Sequence, residues 1–134
     1  MSVKTNIKTE LADKEILAES LKKLDVNFTV HADEKANILD YYKKDASNKG
    51  VITISKYVGF ERTEDGALAL VGDTHYENGL FKNAKTAVDK VTQVYQATKI
   101  ALAIEESGTM AIDYENSNLD AHADEMVVVA QFNN

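Results

Sequence analysis

The sequence predicts an α+β domain, a variant of the ferredoxin-like arrangement, with a mostly antiparallel sheet of about six strands and two helices on one face. Three observations carry this. Apolar residues alternate with period two in several short segments, the pattern of strands with one solvated face. Two other segments repeat their apolar residues at helical spacing. The pairs Asp65-Gly66 and Asn78-Gly79 fall between apolar runs, where the chain must turn. The 134 residues fit one domain, 1–134, and at 44% hydrophobic residues that domain can bury a core without metal or disulfide staples.

The elements follow in order. Val3, Thr5, Ile7, Thr9 and Leu11 alternate with polar neighbours and predict a half-solvated strand. Asp13 suits a helix N-cap, and Ile16, Leu17, Leu21 and Leu24 place an amphipathic helix over 13–24. Val26, Phe28 and Val30 predict a second strand. Residues 31–50 lack a clear period and read as a long connection containing an apolar knot of Ile38, Leu39, Tyr41 and Tyr42. A single strand is expected over Val51–Arg62, a turn at Glu64-Asp65-Gly66, and a return strand over Ala67–Asp73. Asn83 can cap a long helix whose stripe is Ala84, Ala87, Val88, Val91, Val94, Tyr95, Ala101 and Leu102, stopped by Gly108. Two more strands, Thr109–Glu115 and Met126–Phe132, complete the order β-α-β-loop-β-β-α-β-β.

Composition narrows the function. The formal net charge is −7, and Arg62 is the sole arginine among 15 basic residues. Nucleic-acid binders concentrate positive charge and read phosphates and guanines with arginine, so DNA, RNA and anionic membrane surfaces are not the expected partners. The absence of cysteine excludes disulfides, thiol catalysis and thiolate metal sites. The absence of tryptophan removes the large indole platform for sugars or bases. No apolar run approaches the roughly 20 residues that span a bilayer, and Met1–Glu10 has no apolar core of a secretory signal, so a cytoplasmic location is the default expectation.

The opening Met1-Ser2-Val3-Lys4-Thr5-Asn6-Ile7-Lys8-Thr9, followed by a short leucine-rich helix, resembles the start of the hypothetical chloroplast reading frame thirty-five family. Val91-Thr92-Gln93-Val94-Tyr95, in a long helix ending near Gly108 with two strands after it, is similar to that family's C-terminal half. The family comprises small proteins of plastids, cyanobacteria, other bacteria and some phages. It usually has an arginine before the helix tyrosine, where this chain has Val94, and often a tryptophan in the middle region. The resemblance implies a fold and no chemistry.

Several groupings could carry chemistry, each with a plainer reading beside it. His31-Ala32-Asp33-Glu34 and His122-Ala123-Asp124-Glu125 repeat four letters, and two such loops could share a divalent ion; no known zinc spacing is present, and solvated acidic loops are the expected state. Asp73-Thr74-His75-Tyr76-Glu77 groups an acid, an imidazole and a phenol, a set fit for general acid–base work but lacking a nucleophile motif. Arg62 could clamp a phosphate or carboxylate, with Tyr57 near it in sequence; the plainer expectation is an exposed surface pair with Glu61 or Glu64. Tyr41 and Tyr42 could stack on a ligand, whereas Tyr95 and Tyr114 fall on expected core faces. There is no G-x-G-x-x-G, no Walker A and no Gly-x-Ser-x-Gly elbow.

The leading expectation is therefore a non-enzymatic accessory protein that contacts another protein or its own copies, with no cofactor. Its positive support is Met126–Phe132, a strand apolar on both faces, which must be central in a sheet or covered by a partner. The alternative is a protein that binds or sequesters a small nucleotide-like anion, as some small phage proteins do, through Arg62, His75, Tyr41, Tyr42 and Tyr57. A metal-assisted hydrolase using His31, His75 and His122 ranks last. Elemental analysis of the purified protein should find no stoichiometric zinc; about one ion per chain, lost in His122→Ala, would contradict the reading of both His-Ala-Asp-Glu loops as solvated.

Overall fold

A computed structural model describes residues 4–7, 10–40 and 46–133. The chain is α+β, with two α-helices and a mostly antiparallel arrangement of strands. The main sheet holds five strands in the order β1-β7-β6-β5-β2, all neighbours antiparallel. They are β1 (Lys4–Ile7), β2 (Thr29–Val30), β5 (Ile52–Thr53), β6 (Val58–Arg62) and β7 (Leu68–Asp73). This pairing makes β1 and β2 parallel, joined by helix α1 (Lys14–Lys23), with the β5–β6–β7 meander between them. That is a split β-α-β crossover with three inserted strands. The remaining strands stand outside the sheet as two hairpins, β3 (Ala36–Leu39) with β4 (Ala46–Gly50), and β8 (Met110–Ile112) with β9 (Ala130–Phe132).

Helix α1 starts where expected. The Asp13 carboxylate accepts hydrogen bonds from the N–H groups of Glu15 (2.9 Å) and Ile16 (3.2 Å), satisfying donors with no partner inside the helix. Glu15 in the first turn and Lys22 and Lys23 in the last suit the helix dipole. Leu17 and Leu21 are fully buried and point into the core. Helix α2 (Ala84–Ser107) is capped by Asn83, which accepts from Thr86 N–H at 3.0 Å, and ends on Gly108. Its buried stripe runs through Ala87, Val88, Val91, Val94 and Tyr95. Beyond that the expected phase is corrected. Ala97, Thr98 and Ile104 are buried, whereas Leu102 is 38% exposed.

Both helices cover one face of the sheet. Val58, Phe60, Leu68 and Leu70 alternate onto that face and join Leu17, Leu21 and Val91 in a single core. Phe60 and Phe81 meet edge to face, centroids 6.3 Å apart. The opposite face is covered by the β3–β4 hairpin, where Ile38 packs on Ala69 and Val71. Gly59 makes room for it: a Cβ there would lie 2.8 Å from Ile38 Cδ1 and 2.7 Å from the Ile52 carbonyl. At Gly72, φ is +118°, a conformation that favours glycine, and it brings the Tyr57 carbonyl within 2.9 Å of Asp73 N–H.

Several expectations are thereby corrected. Residues 31–50 are not a structureless connection but contain β3 and β4. The strand expected over Val51–Arg62 is a hairpin that folds back at Ile54–Tyr57, where Ile54 N–H and Ser55 N–H both donate to Val58 O (2.9 and 3.1 Å). No Gly or Asx marks this turn; the Ser55 hydroxyl, accepting from Tyr57 N–H at 3.2 Å, serves in their place. The about six strands expected in one sheet are five, with two hairpins apart. Tyr114, expected in the core, is 68% exposed. Replacing the buried Leu21 by Ala should destabilise the fold by about 2–5 kcal/mol in urea titration, while the exposed Lys22→Ala should stay within about 0.5 kcal/mol. Equal losses at the two neighbours would mean α1 is rotated.

Candidate functional site

The expected site residues fall at opposite ends of β6. Tyr57 immediately precedes that strand and Arg62 ends it, so five residue steps of about 3.4 Å put them roughly 17 Å apart. Antiparallel β7 carries Asp73, and His75 just beyond it, to the Tyr57 end. Arg62 therefore does not share a site with Tyr57 or His75. Tyr41 and Tyr42 lie outside the described residues.

At the Tyr57 end, Asp73 is buried, and its Oδ1 accepts from His75 N–H at 3.0 Å. The His75 ring is exposed and meets Tyr76 edge-on, centroids 4.6 Å apart. Glu77 accepts a hydrogen bond from the Ser55 hydroxyl at 3.0 Å. Leu39 N–H donates to Lys56 O at 2.8 Å, which brings the buried Asp40 to this same end. The Asp73 carboxylate thus shapes the strand exit through the His75 N–H, while the His75 and Tyr76 rings meet at the surface.

At the other end, Arg62 is the centre of a polar node. Residues 61 and 62 point to opposite faces of β6, so the expected pairing with Glu61 does not form. Glu61 instead faces the β3–β4 hairpin and accepts from Asn48 (3.1 Å) and Lys49 N–H (2.6 Å). The Arg62 guanidinium grips Glu34 with two bonds, Nε to Oε1 at 3.0 Å and Nη2 to Oε2 at 3.2 Å. Its Nη1 donates to the carbonyls of Ala12 (2.6 Å) and Gly66 (2.9 Å). Four of the five donors of a guanidinium are used within the fold. Lys14 Nζ adds a third bond to Glu34, at 3.0 Å. Hydrogen bonds from Arg62 and then from Lys14 hold the Glu34 carboxyl down at about 2, well below its ordinary 4.5. The side chains of Arg62 and Glu34 are only 31% and 29% exposed, which corrects the expectation of an exposed surface arginine.

The two His-Ala-Asp-Glu loops are each committed elsewhere. His31 Nε2 lies 2.8 Å from Thr53 Oγ1, and Glu34 of the same loop belongs to the Arg62 node. His122 Nε2 lies 2.9 Å from Asp25 Oδ2. Lys90 and Gln93 of α2 donate to the carbonyls of Ala123 (2.5 Å) and Asp124 (3.2 Å), tying the second loop to the helix by its backbone. Among the described residues no three histidine or acidic side chains form a metal-ligating group.

The surface features missed in the sequence are apolar. Phe132 is 78% exposed, Ile100 51% and Val127 40%. Ile100, Met126 and Val128 line a shallow groove of about 360 Å³ between α2 and the segment leading to β9. Of the strand expected over Met126–Phe132, Ala130–Phe132 forms β9, one of the two strands of a separate sheet, and all three of its residues are exposed. The double-sided apolar pattern of Met126–Phe132 was the signal, and the first of its two readings, a central strand, does not apply. No helix among the described residues is long and apolar enough to cross a membrane. No family model matches the chain, and no curated protein or solved structure matches it either.

The Glu34 carboxyl, lower in the folded than in the unfolded chain, contributes stability that is fully present above pH 4.5 and lost as pH falls through about 2. Discounted for solvent screening, this amounts to about 1 kcal/mol. Glu34→Gln should therefore be less stable than the parent at pH 7, and the gap should close between pH 4.5 and 2. Arg62→Ala should cost about 1–3 kcal/mol, since it releases a partly buried carboxylate and two carbonyls together. Denaturant titrations of the three proteins across this pH range would show a gap that does not vary if the node contributes nothing.

Proposed function

We propose that the chain is a non-enzymatic accessory protein that works by contacting another protein or its own copies. The observation that carries this is the C-terminal hairpin. Its outer strand β9 pairs with β8 alone among the described residues, and it carries Phe132 in the open. An exposed strand edge with adjacent aromatic and aliphatic side chains is a surface that a partner strand or apolar patch can cover. A two-stranded hairpin is also marginal by itself, so covering it gains stability. The acidic balance favours a protein partner over nucleic acid. The competing reading, capture of a small anion, loses its one guanidinium to the Arg62–Glu34 node.

The likeness to the hypothetical chloroplast reading frame thirty-five family belongs to this proposal. The long helix through Val91–Tyr95, stopped at Gly108 and followed by two strands, supports it. A ferredoxin-like descent rests on the split β-α-β crossover, with the last two strands displaced from the sheet into their own hairpin. A cytoplasmic location and a phage source are part of the same reading.

The test joins assembly to stability. Val127→Lys with Phe132→Lys should abolish the assembled species seen by sedimentation of the chain, alone or with proteins of its source cells. The melting transition should stay within a few degrees of the parent. Assembly that survives both lysines in a folded protein would refute this use of the hairpin.

A further inference from the structure

The two helices leave a second groove, on the side of α2 away from the Met126–Val128 segment, of about 680 Å³. Its lining is mixed: Ile16 of α1 and Ala101, Leu102 and Ala103 of α2 contribute apolar surface, and Leu102 is 38% exposed although it continues the helical stripe of Tyr95 and Thr98. The rims are acidic: Glu15 and Glu19 on α1 face Glu105 and Glu106 on α2, and all four are exposed. With Asp13 the groove has five carboxylates against two lysines. One of those, Lys23, already donates to Thr98 Oγ1 at 3.1 Å, and Asp13 is occupied in capping α1. The lining therefore carries a net negative charge, five carboxylates against Lys23 and the exposed Lys99.

We infer that this groove docks a basic amphipathic helix of a partner protein. A trough between two helices with Ile16 and Leu102 in its lining can take a third helix as a ridge, and its α2 wall from Thr98 to Glu106 measures roughly 12 Å, about two helical turns. A helix laid there would place one apolar residue per turn on Leu102 and Ile16, at i and i+3 or i+4. Residues flanking that stripe would fall on the glutamate rims, where lysine or arginine is complementary and glutamate is repelled. A second copy meeting this groove with its own is a poor occupant, because the same five carboxylates would face one another. Nucleic acid and anionic membranes are excluded by the same sign. The surface is distinct from the β9 edge, so the inference does not rest on the use of that edge.

The probe is a synthetic 18-residue amphipathic peptide of leucine and lysine, leucines at i, i+3, i+4 and i+7, titrated into the whole chain by fluorescence anisotropy. Three controls accompany it: the same leucines with glutamate for lysine, the same Leu–Lys composition scrambled, and the Phe132→Lys protein. The Leu–Lys peptide should bind at least about tenfold more tightly than either control peptide, and binding should weaken with salt. Leu102→Ser should weaken it about tenfold, and Glu19→Gln with Glu105→Gln several-fold, while Phe132→Lys leaves it unchanged. Both changes are at partly or fully exposed positions, and a melting curve of each protein accompanies its titration. Equal binding of the scrambled peptide would reduce the effect to bulk charge and overturn the inference. So would unchanged affinity in both groove variants. A chain dimer dissociated by Leu102→Ser would assign the groove to a second copy and overturn it as well. Loss at Phe132→Lys alone would move the peptide to the hairpin, separating failure of this inference from failure of the proposed function.

Discussion

The guanidinium of Arg62 holds together three segments that are remote in sequence. It reaches Ala12 at the entry to α1, Gly66 in the β6–β7 turn and Glu34 between β2 and β3. A charge-assisted fork to a partly buried carboxylate is among the stronger polar contacts a surface can make, and its two extra carbonyls would otherwise compete for water. The neighbouring contacts lean on the same place. Leu68 N–H donates to Leu11 O, and the Tyr95 hydroxyl accepts from the Asp13 N–H, so α2 is fastened to the start of α1 just beside the node. The packing of α1 on the sheet, and so the Leu17–Leu21–Val91 core, depends on that entry being fixed.

Helix α2 is longer than what it covers. Its stripe from Ala87 through Tyr95 is buried in the core and Thr98 beside α1, whereas its later turns form an overhang with Ile104 buried but Ile100 and Leu102 exposed on different sides. Helix α1 has 10 residues and α2 has 24, so roughly half of α2 lacks a full-length neighbour. The β8–β9 hairpin returns along this overhang but covers only part of it, with Ile112 buried and Phe132 in the open. Two grooves flank the same helix for this reason, one of mixed lining beside the hairpin and one with acidic rims beside α1.

Local signals in the sequence translate directly where one short interaction sets the outcome. Asp13 and Asn83 cap helices because a short acceptor side chain reaches the first free N–H groups. The turn at Gly66 closes with Gly66 N–H on Thr63 O, as its Asp-Gly pair predicts. Where the turn carries no such residue the reading fails: Ser55-Lys56 folds a strand back on itself with only a hydroxyl to help, and Ala36–Leu39 pairs with β4 through a register too short to show alternation. Leu102 and Tyr114 illustrate the other limit. Helical and strand periods say which residues share a face, and not whether anything lies over that face.

The sequence by itself determined the α+β class, both helices with their caps, the return strand β7 with the turn before it, and the acidic balance. These depend on neighbours within a few residues, or on composition. Only the tertiary structure decided that Arg62 belongs to Glu34 and not to Glu61, because alternation along β6 sends residues 61 and 62 to opposite faces while the chain returns Glu34 from 28 residues away. Only it decided that the last strand lies outside the sheet, because strand order is settled by which edges remain unpaired after β1 and β2 take the two ends. Pairing across such distances follows from closure of the whole core, and no window of sequence contains it.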